Sequence, residues 1–174
     1  VINEVIEDIN LNIEFKKLNF SKNPEILIAG CGTGQHAITT ASKYKNAEIF
    51  ALDLSFNSLS YAKRKAQELN CNNIKFIQGD LLNLRKLDKK FDIIESVGVL
   101  HHMANPIVGW ETLTECLKKD ALLLIGLYSE KARENITIIR ETINSLKIKT
   151  TKENIINFRK DILENNNTTW DSIK

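Results

Sequence analysis

Cysteine is scarce in this sequence, and its few cysteines are far apart. Cys31, Cys71 and Cys116 are the only three among 174 residues, and no two of them form a C-x-x-C pair. An odd number at wide spacing argues against a disulfide scaffold, and the missing pair argues against a zinc site, so no metal is expected. Unpaired thiols fit a reducing compartment, and we therefore expect a cytoplasmic protein.

Long hydrophobic runs and a large charge of either sign are also missing. No apolar run approaches the roughly 18–20 residues that cross a bilayer, so no membrane partner is expected. Twenty-four basic and 22 acidic residues leave a net charge of +2, which is too small to indicate a nucleic-acid partner. Methionine occurs once, at position 103, and the chain begins with valine. These features predict a piece of a longer, multidomain protein.

The composition that remains is that of a globular domain, with 43% hydrophobic and 26% charged residues. A chain of this length can bury a core without disulfides or metals. Hydrophobic residues recur at helical spacing near the start and predict an amphipathic helix within residues 1–20. We predict a core domain over residues 21–130, followed by a helical extension over residues 131–174 that forms a lid or part of a C-terminal region.

Short apolar runs alternate with helical patterns through this core. The runs that predict strands are 26–29, 49–52, 74–77, 91–97 and 121–128. The helical patterns cover residues 35–44, 55–69 and 110–117, and Ser55 is placed to cap the second helix. This alternation predicts an α/β fold, with a Rossmann-like, doubly wound and mainly parallel sheet of about five strands flanked by helices. Patterns at 130–147 and 151–164 predict two further helices.

Glycine is rare as well, and three of the seven glycines fall in one loop. Gly30, Gly32 and Gly34 follow the first predicted strand and precede a predicted helix. Such a loop brings backbone N–H groups and a helix N-terminus to one point, which in dinucleotide folds holds a pyrophosphate. A tight turn without a ligand is the alternative.

The spacing of these glycines separates two classes of cofactor. The nicotinamide fingerprint is G-x-G-x-x-G/A, and its last position falls on Gln35. The pattern present is G-x-G-x-G, which disfavours an NAD(P)-dependent oxidoreductase. The G-x-x-x-x-G-K-[ST] loop of nucleoside triphosphatases is absent.

Two acidic residues follow the next two predicted strands. Asp53 ends the second strand, where an acid in doubly wound folds accepts hydrogen bonds from a ribose diol. Asp80 ends the third strand, where an acid can accept a hydrogen bond from the exocyclic amine of an adenine. Each acid can instead cap the helix that follows it. Both lie at the predicted carboxyl edge of the sheet, where such folds bind ligands.

Four segments in this order resemble the class I S-adenosylmethionine-dependent methyltransferases. They are ILIAGCGTGQ at 26–35, ALDLS at 51–55, QGDL at 78–81 and FDIIE at 91–95, and GVLHHM at 98–103 follows them. The resemblance extends from about residue 25 to residue 128. The segments AGCGTGQH at 29–36 and GLYS at 126–129 are also similar to bacterial methyltransferase domains that are joined to tetratricopeptide repeats.

The resemblance implies S-adenosyl-L-methionine as the cofactor and S-adenosyl-L-homocysteine as the product. The glycine loop would pass under the methionine part, and the acid after the second strand would hold the ribose hydroxyls. The acid after the third strand would frame the adenine, and the end of the fourth strand would approach the methionine moiety. The residues implied to bind the cofactor are Gly30, Cys31, Gly32, Gly34, Asp53, Leu54, Asp80, Leu81, Ser96 and Val97.

The sequence departs from the resembled family in two places. The segment at 117–120, LKKD, replaces the Leu-x-Pro-Gly-Gly-like loop that usually precedes the fifth strand. We expect this segment to form a polar turn. No sixth strand and no antiparallel seventh strand is predicted before Lys174. We therefore expect the sheet to be truncated before its C-terminal antiparallel hairpin.

Methyl transfer requires alignment of the acceptor with the methyl group and exclusion of water. A general base is needed only where the acceptor loses a proton. His101 and His102 follow the fourth strand and are the candidate catalytic residues, because either can act as a base near neutral pH. Packing against the sheet or exposure to solvent is their alternative role. His36 is expected to be structural, and the position of Cys31 near a helix terminus could lower the pKa of its thiol.

The acceptor is predicted only as a class. ESVG at 95–98 replaces the Asn/Asp-Pro-Pro-Tyr/Phe motif of many amino-methylating enzymes, which argues against DNA-base and protein-glutamine methylation. We predict methyl transfer to a small molecule or a peptide. The alternatives are an NAD(P)-dependent oxidoreductase and a non-catalytic interaction module that keeps the fold.

Overall fold

The computed structural model describes residues 21–164, so the predicted helix within residues 1–20 lies outside the described residues. The described strands are β1 (Glu25–Ala29), β2 (Glu48–Asp53), β3 (Ile74–Gln78), β4 (Phe91–Val97) and β5 (Leu117–Gly126). They form a sheet in the order β3-β2-β1-β4-β5, and each neighbouring pair is parallel. The predicted α/β Rossmann-like fold is confirmed. The strand order reverses between β1 and β4, and doubly wound folds bind ligands at such a point.

The helices are α1 (Gln35–Lys43), α2 (Phe56–Glu68), α3 (Pro106–Glu115), α4 (Glu134–Ser145) and α5 (Lys152–Glu164). Short 3₁₀ helices occupy Leu81–Leu87, Leu100–His102 and Lys131–Arg133. The prediction that α3 reaches residue 117 is wrong. The Phe91 N–H donates to the Cys116 carbonyl at 2.9 Å, so the chain turns there and pairs with β4.

Strand β5 begins earlier than predicted and contains the polar segment that was expected to form a turn. Phe91 pairs with Leu117, whereas Ile93 pairs with Leu122, so β5 bulges between these two points. Asp120 lies in this bulge with a φ of 60°, a backbone region that Asp tolerates better than most residues. The predicted end of the strand is also wrong, because β5 stops at Gly126 rather than at residue 128.

Side-chain caps determine where two of the helices begin. The Ser55 hydroxyl accepts a hydrogen bond from the Ser58 N–H at 3.2 Å, which confirms the predicted cap of α2. The Asn105 side-chain oxygen accepts one from the Ile107 N–H at 3.1 Å, at the start of α3. Proline follows as the first residue of α3, where its missing N–H leaves no hydrogen bond unmade.

Alternate residues of the strands supply two hydrophobic clusters, one on each face of the sheet. On one face, Ile26 and Ile28 of β1 pack in a cluster with Ala37 of α1 and Leu59 of α2. On the other face, the intervening β1 residues pack in a cluster that includes Leu113 of α3 and residues of the Leu81–Leu87 helix. Because both faces are covered, β1 and β2 are apolar along their length, which is why their sequences predicted buried strands.

The described residues divide into two compact units, the first ending at residue 127 and the second beginning at residue 128. The first unit contains the sheet with α1, α2 and α3. In the second unit, neither α4 nor α5 contains a buried residue. Among the described helices, none combines the length and the apolar character needed to cross a membrane. The predicted roles of residues 1–20, 21–130 and 131–174 stay predictions.

Candidate functional site

The loop after β1 is held against the end of β2 by its own backbone. The N–H groups of Gly30 and Cys31 both donate to the Leu52 carbonyl, at 2.8 and 2.9 Å. Gly30, Gly32 and Gly34 have φ values of 81°, 52° and 88°, which lie in a region that L side chains rarely adopt. The three glycines thus permit the path that the loop follows along the carboxyl edge of the sheet.

The space around these glycines differs. A Cβ at Gly34 would lie 2.5 Å from the Cβ of Ala62 on α2, so a side chain there would collide with the neighbouring helix. A Cβ at Gly32 would meet no atom within 4 Å, and the same holds for Gly98 after β4. The backbone at Gly32 and Gly98 therefore faces open space.

Asp53 links the glycine loop to the start of α2. Its Oδ2 accepts a hydrogen bond from the Gly32 N–H at 2.7 Å, and its Oδ1 accepts one from the Ser55 N–H at 2.9 Å. The α2 cap itself is supplied by the Ser55 hydroxyl. An ionised carboxylate offers about four lone-pair sites, so Asp53 retains acceptor capacity beyond these two bonds.

Asp80 begins the 3₁₀ helix that follows β3. Its Oδ1 accepts a hydrogen bond from the Leu82 N–H at 2.9 Å, which is the capping arrangement considered as the alternative role. Oδ2 takes no part in this cap. Asp80 and Asp53 border the same cavity, as expected for residues at the ends of adjacent parallel strands.

This cavity lies at the carboxyl edge of the sheet and has a volume of about 320 Å³. Small-molecule sites typically enclose about 300–1,000 Å³. The sequence-predicted residues that line it are Gly30, Gly32, Asp53, Leu54, Asp80, Leu81 and His102. Sequence reasoning missed the lining residues Leu52, Gly79, Gly98, Val99 and Met103. The sequence did indicate these residues, because each lies within a segment that carries the family resemblance.

Five other predicted residues lie outside the lining of this cavity: Cys31, Gly34, Ser96, Val97 and His101. Ser96 is fully buried, and its hydroxyl donates to the Ala29 carbonyl at 3.2 Å. Val97 is 47% exposed. The predicted contacts of these residues with a cofactor stay predictions.

Cys31 is buried, and its side chain belongs to the hydrophobic cluster beside α1. Burial raises the pKa of its thiol to about 12, and the charge of Asp53 acts in the same direction. The expectation of a lowered pKa is wrong, because desolvation outweighs any effect of the helix terminus. The thiol is therefore protonated at neutral pH and is not an activated nucleophile.

The two adjacent histidines lie in the short 3₁₀ helix Leu100–His102 after β4. Their Nε2 atoms are 3.2 Å apart, and their ring centroids are 4.3 Å apart. Of the two, His102 lines the cavity. The predicted role of His101 or His102 as a base stays a prediction.

A further histidine contacts a carboxylate on β4. His36, in the first turn of α1, places its Nε2 2.8 Å from Oε2 of Glu95, and the Thr40 hydroxyl donates to the same oxygen at 3.1 Å. The Glu95 side chain is 12% exposed and that of His36 36%. The hydrogen bond that Glu95 accepts from the imidazole raises the pKa of His36, although burial opposes it. The sequence analysis did not identify Glu95 as a functional residue, although it is a charged residue within an apolar strand.

A family model described as a methyltransferase domain matches residues 20–170. The chain is 37% identical over 121 residues to an uncharacterized Synechococcus protein, an alignment covering 69% of this chain and 29% of that protein. It is 31% identical over 100 residues to a probable (S)-tetrahydroprotoberberine N-methyltransferase of Papaver bracteatum, covering 58% of this chain and 28% of that protein. The chain thus spans less than a third of the length of these curated relatives.

A solved structure shows the same fold. PKMT2 from Rickettsia typhi, in complex with AdoHcy, matches with a TM-score of 0.64 and 22% identity, covering 87% of this chain and 31% of that chain. The similarity to domains joined to tetratricopeptide repeats stays a prediction. Because the family model covers most of the chain and the sheet is parallel and doubly wound as predicted, the chain belongs to the class I S-adenosylmethionine-dependent methyltransferase domains.

Proposed function

We propose that this chain is the cofactor-binding domain of an S-adenosyl-L-methionine-dependent methyltransferase that acts on a small molecule or a peptide. The observation that carries the proposal is the cavity in which Asp53 and Asp80 lie beside the open backbone of Gly32. S-adenosyl-L-homocysteine is then the product. Membership of the family supports this function over the nicotinamide-dependent alternative.

The groups around the cavity suit a nucleoside. Asp53 retains acceptor sites for the ribose hydroxyls, and Asp80 has a carboxylate oxygen outside its cap for the exocyclic amine of adenine. Leu54, Leu81 and Met103 line the same cavity and offer apolar surface to a purine. A few polar groups on a mostly apolar wall are typical of a cofactor site.

When bound, S-adenosylmethionine supplies a methyl group on a positively charged sulfur. The chain would hold the methionine part where the backbone of Gly32 and Gly98 leaves open space. Ser96 would approach it through its backbone, because its hydroxyl is engaged with the Ala29 carbonyl. Val97 would offer an apolar side chain, which helps to exclude water from the reacting atoms.

Two observations bear on the class of the methyl acceptor. The Papaver relative is named for N-methylation of (S)-tetrahydroprotoberberine, a small molecule. The segment ESVG at the end of β4 also lacks the motif of many enzymes that methylate DNA bases or protein glutamine. Both observations support a small-molecule or peptide acceptor.

Calorimetric titration tests the cofactor. We expect micromolar binding of S-adenosylmethionine and S-adenosylhomocysteine and no binding of NADH. Asp53→Ala should weaken both affinities at least tenfold, because it removes the acceptor for the ribose hydroxyls and the hydrogen bond from the Gly32 N–H. Asp161→Ala, an exposed position on α5, is the matched control and should bind as the parent does. A folded chain that binds neither sulfur compound would favour the non-catalytic alternative, and binding of NADH would favour the oxidoreductase.

A further inference from the structure

The His36–Glu95 pair is close in sequence to two segments that line the cavity. His36 is the second residue of α1, directly after the glycine loop, and Glu95 lies on β4, which leads into Gly98. Gly32 of the loop and Gly98 both line the cavity, whereas His36 and Glu95 do not. The pair therefore adjoins two parts of the cavity wall along the chain, on the face of the sheet that α1 covers.

Apolar side chains are exposed on this same face. Glu95 is in register with Leu124 of β5, and Val97 is in register with Gly126. Val97 and Leu124 are 47% and 50% exposed, although strands of a parallel sheet are normally buried on both faces. A histidine–carboxylate pair thus borders an apolar surface at the carboxyl end of β4. Such a combination suits an organic molecule that carries one reacting polar atom.

We propose that His36 is the proton acceptor of methyl transfer, that Glu95 positions it, and that the methyl acceptor binds over Val97 and Leu124 through a nitrogen or oxygen that carries a proton. This role replaces the structural one that was expected from the sequence, and His36 has it only if the chain binds S-adenosylmethionine, as proposed above. Glu95 is a positioning residue, because it acts through the imidazole that it holds.

In the proposed step, a lone pair on the nitrogen or oxygen of the acceptor forms the new bond to the methyl carbon. The carbon–sulfur bond breaks, and its electron pair stays on sulfur, which becomes neutral. The proton of the acceptor passes to Nδ1 of His36, because Nε2 is bonded to Glu95, and later to water. His36 must therefore be neutral before the transfer.

The charged groups near the His36 imidazole determine its pKa, and a change in this pKa can be measured. Among the described residues, Glu95 is the charged group in contact with His36, and Thr40 donates to the same carboxylate. The hydrogen bond to Glu95 raises the pKa of His36. A positively charged sulfur near the imidazole would lower this pKa by like-charge repulsion.

NMR titration of the histidine rings tests the proposal without knowledge of the acceptor. The chain has three histidines, and His36→Gln assigns the His36 signal. Titrations are compared for the chain saturated with S-adenosylmethionine and with S-adenosylhomocysteine, whose sulfur is neutral. We expect the pKa of His36 to be lower by about half a unit or more in the first complex.

Two variants separate the positioning role from a general effect of charge. Glu95→Gln should lower the pKa of His36 in both complexes while leaving cofactor affinity within about twofold. Glu111→Gln, at an exposed position on α3, should leave all three histidine pKa values unchanged. If Glu95→Gln does not fold, the comparison of the two cofactor complexes of the unsubstituted chain decides the question.

The outcomes are distinguishable. Equal His36 pKa values in the two complexes, with both compounds bound, would overturn the proton-acceptor role and leave the proposed function intact. Absence of binding in the calorimetric titration would overturn the proposed function itself, and the role of His36 with it.

Discussion

Gly34 and Gly32 are two residues apart but are required for different reasons. Both have positive φ, of 88° and 52°. A Cβ at Gly34 would be 2.5 Å from the Cβ of Ala62 and 3.1 Å from its Cα, whereas one at Gly32 would meet nothing within 4 Å. Helix packing therefore requires glycine at position 34, and the open space beside position 32 is available to a ligand.

Alanine substitution separates these two reasons. Gly34→Ala should lower the free energy of unfolding by about 2–4 kcal/mol, because backbone strain and collision with α2 combine. Gly32→Ala should lower it by about 1 kcal/mol, because only the backbone is strained. Urea denaturation measures both values. Equal losses for the two variants would contradict the packing argument for Gly34.

At the residue scale, the sequence predicted which residues reach the carboxyl edge but not what each one contacts. Asp53 was identified from its place after a strand, and the structure adds its hydrogen bond to the Gly32 N–H. The family resemblance placed Cys31 in the cofactor site, and the structure adds that its side chain is buried in the core. Each side chain contacts residues that are distant in the chain, and the local sequence pattern does not specify those contacts.

At the scale of elements, charged side chains join the amino ends of β1, β4 and β5. Asp92 Oδ2 accepts hydrogen bonds from the Glu25 N–H and from the Lys118 ammonium, both at 2.8 Å. Lys118 also donates to Glu25 at 2.9 Å, and Lys89 contacts the same carboxylate. Lys118, the first lysine of the polar segment 117–120, pairs with Asp92 on β4 and with Glu25 on β1. These ion pairs explain why the polar segment lies within β5.

The network predicts a loss of stability in acid. The hydrogen bond from Lys89, with a further contribution from Lys118, lowers the pKa of Glu25 below its usual value of about 4.5. A carboxyl group with a lowered pKa in the folded state stabilises the protein above its unfolded pKa, and this contribution is lost as the pH falls through the folded value. Stability should therefore decrease below about pH 4.5.

Urea denaturation between pH 7 and pH 3 checks this expectation. Glu25→Gln should be less stable than the parent at pH 7, and its stability should fall less steeply below pH 4.5. Glu111→Gln, an exposed position on α3, is the control and should follow the parent curve. An unchanged slope in Glu25→Gln would show that Glu25 does not contribute to the acid sensitivity.

At the scale of the whole molecule, the two compact units differ in burial. Residues of β1 such as Ile26 and Leu27 have no exposed surface, whereas no residue of α4 or α5 is buried. Local opening requires less free energy where fewer apolar contacts are broken. The helices of the second unit should therefore open more readily than the sheet.

Amide hydrogen exchange measures this difference. We expect the amides of β1 and β4 to be the most protected and those of α4 and α5 to exchange at least a hundredfold faster. Protection in α4 and α5 equal to that in β1 would contradict the prediction and would show that the two units open together.

The sequence by itself determined the α/β class, the order of strands and helices in residues 21–164, and the placement of the glycine loop and two acids at the carboxyl edge. These features follow from local pattern, because buried parallel strands are continuously apolar and glycine permits positive φ. Only the tertiary structure decided the bulge in β5, the lining of the cavity and the pairing of His36 with Glu95. Each of these depends on contacts between segments that are distant in the chain, and such contacts form only when the strands take their order in the sheet.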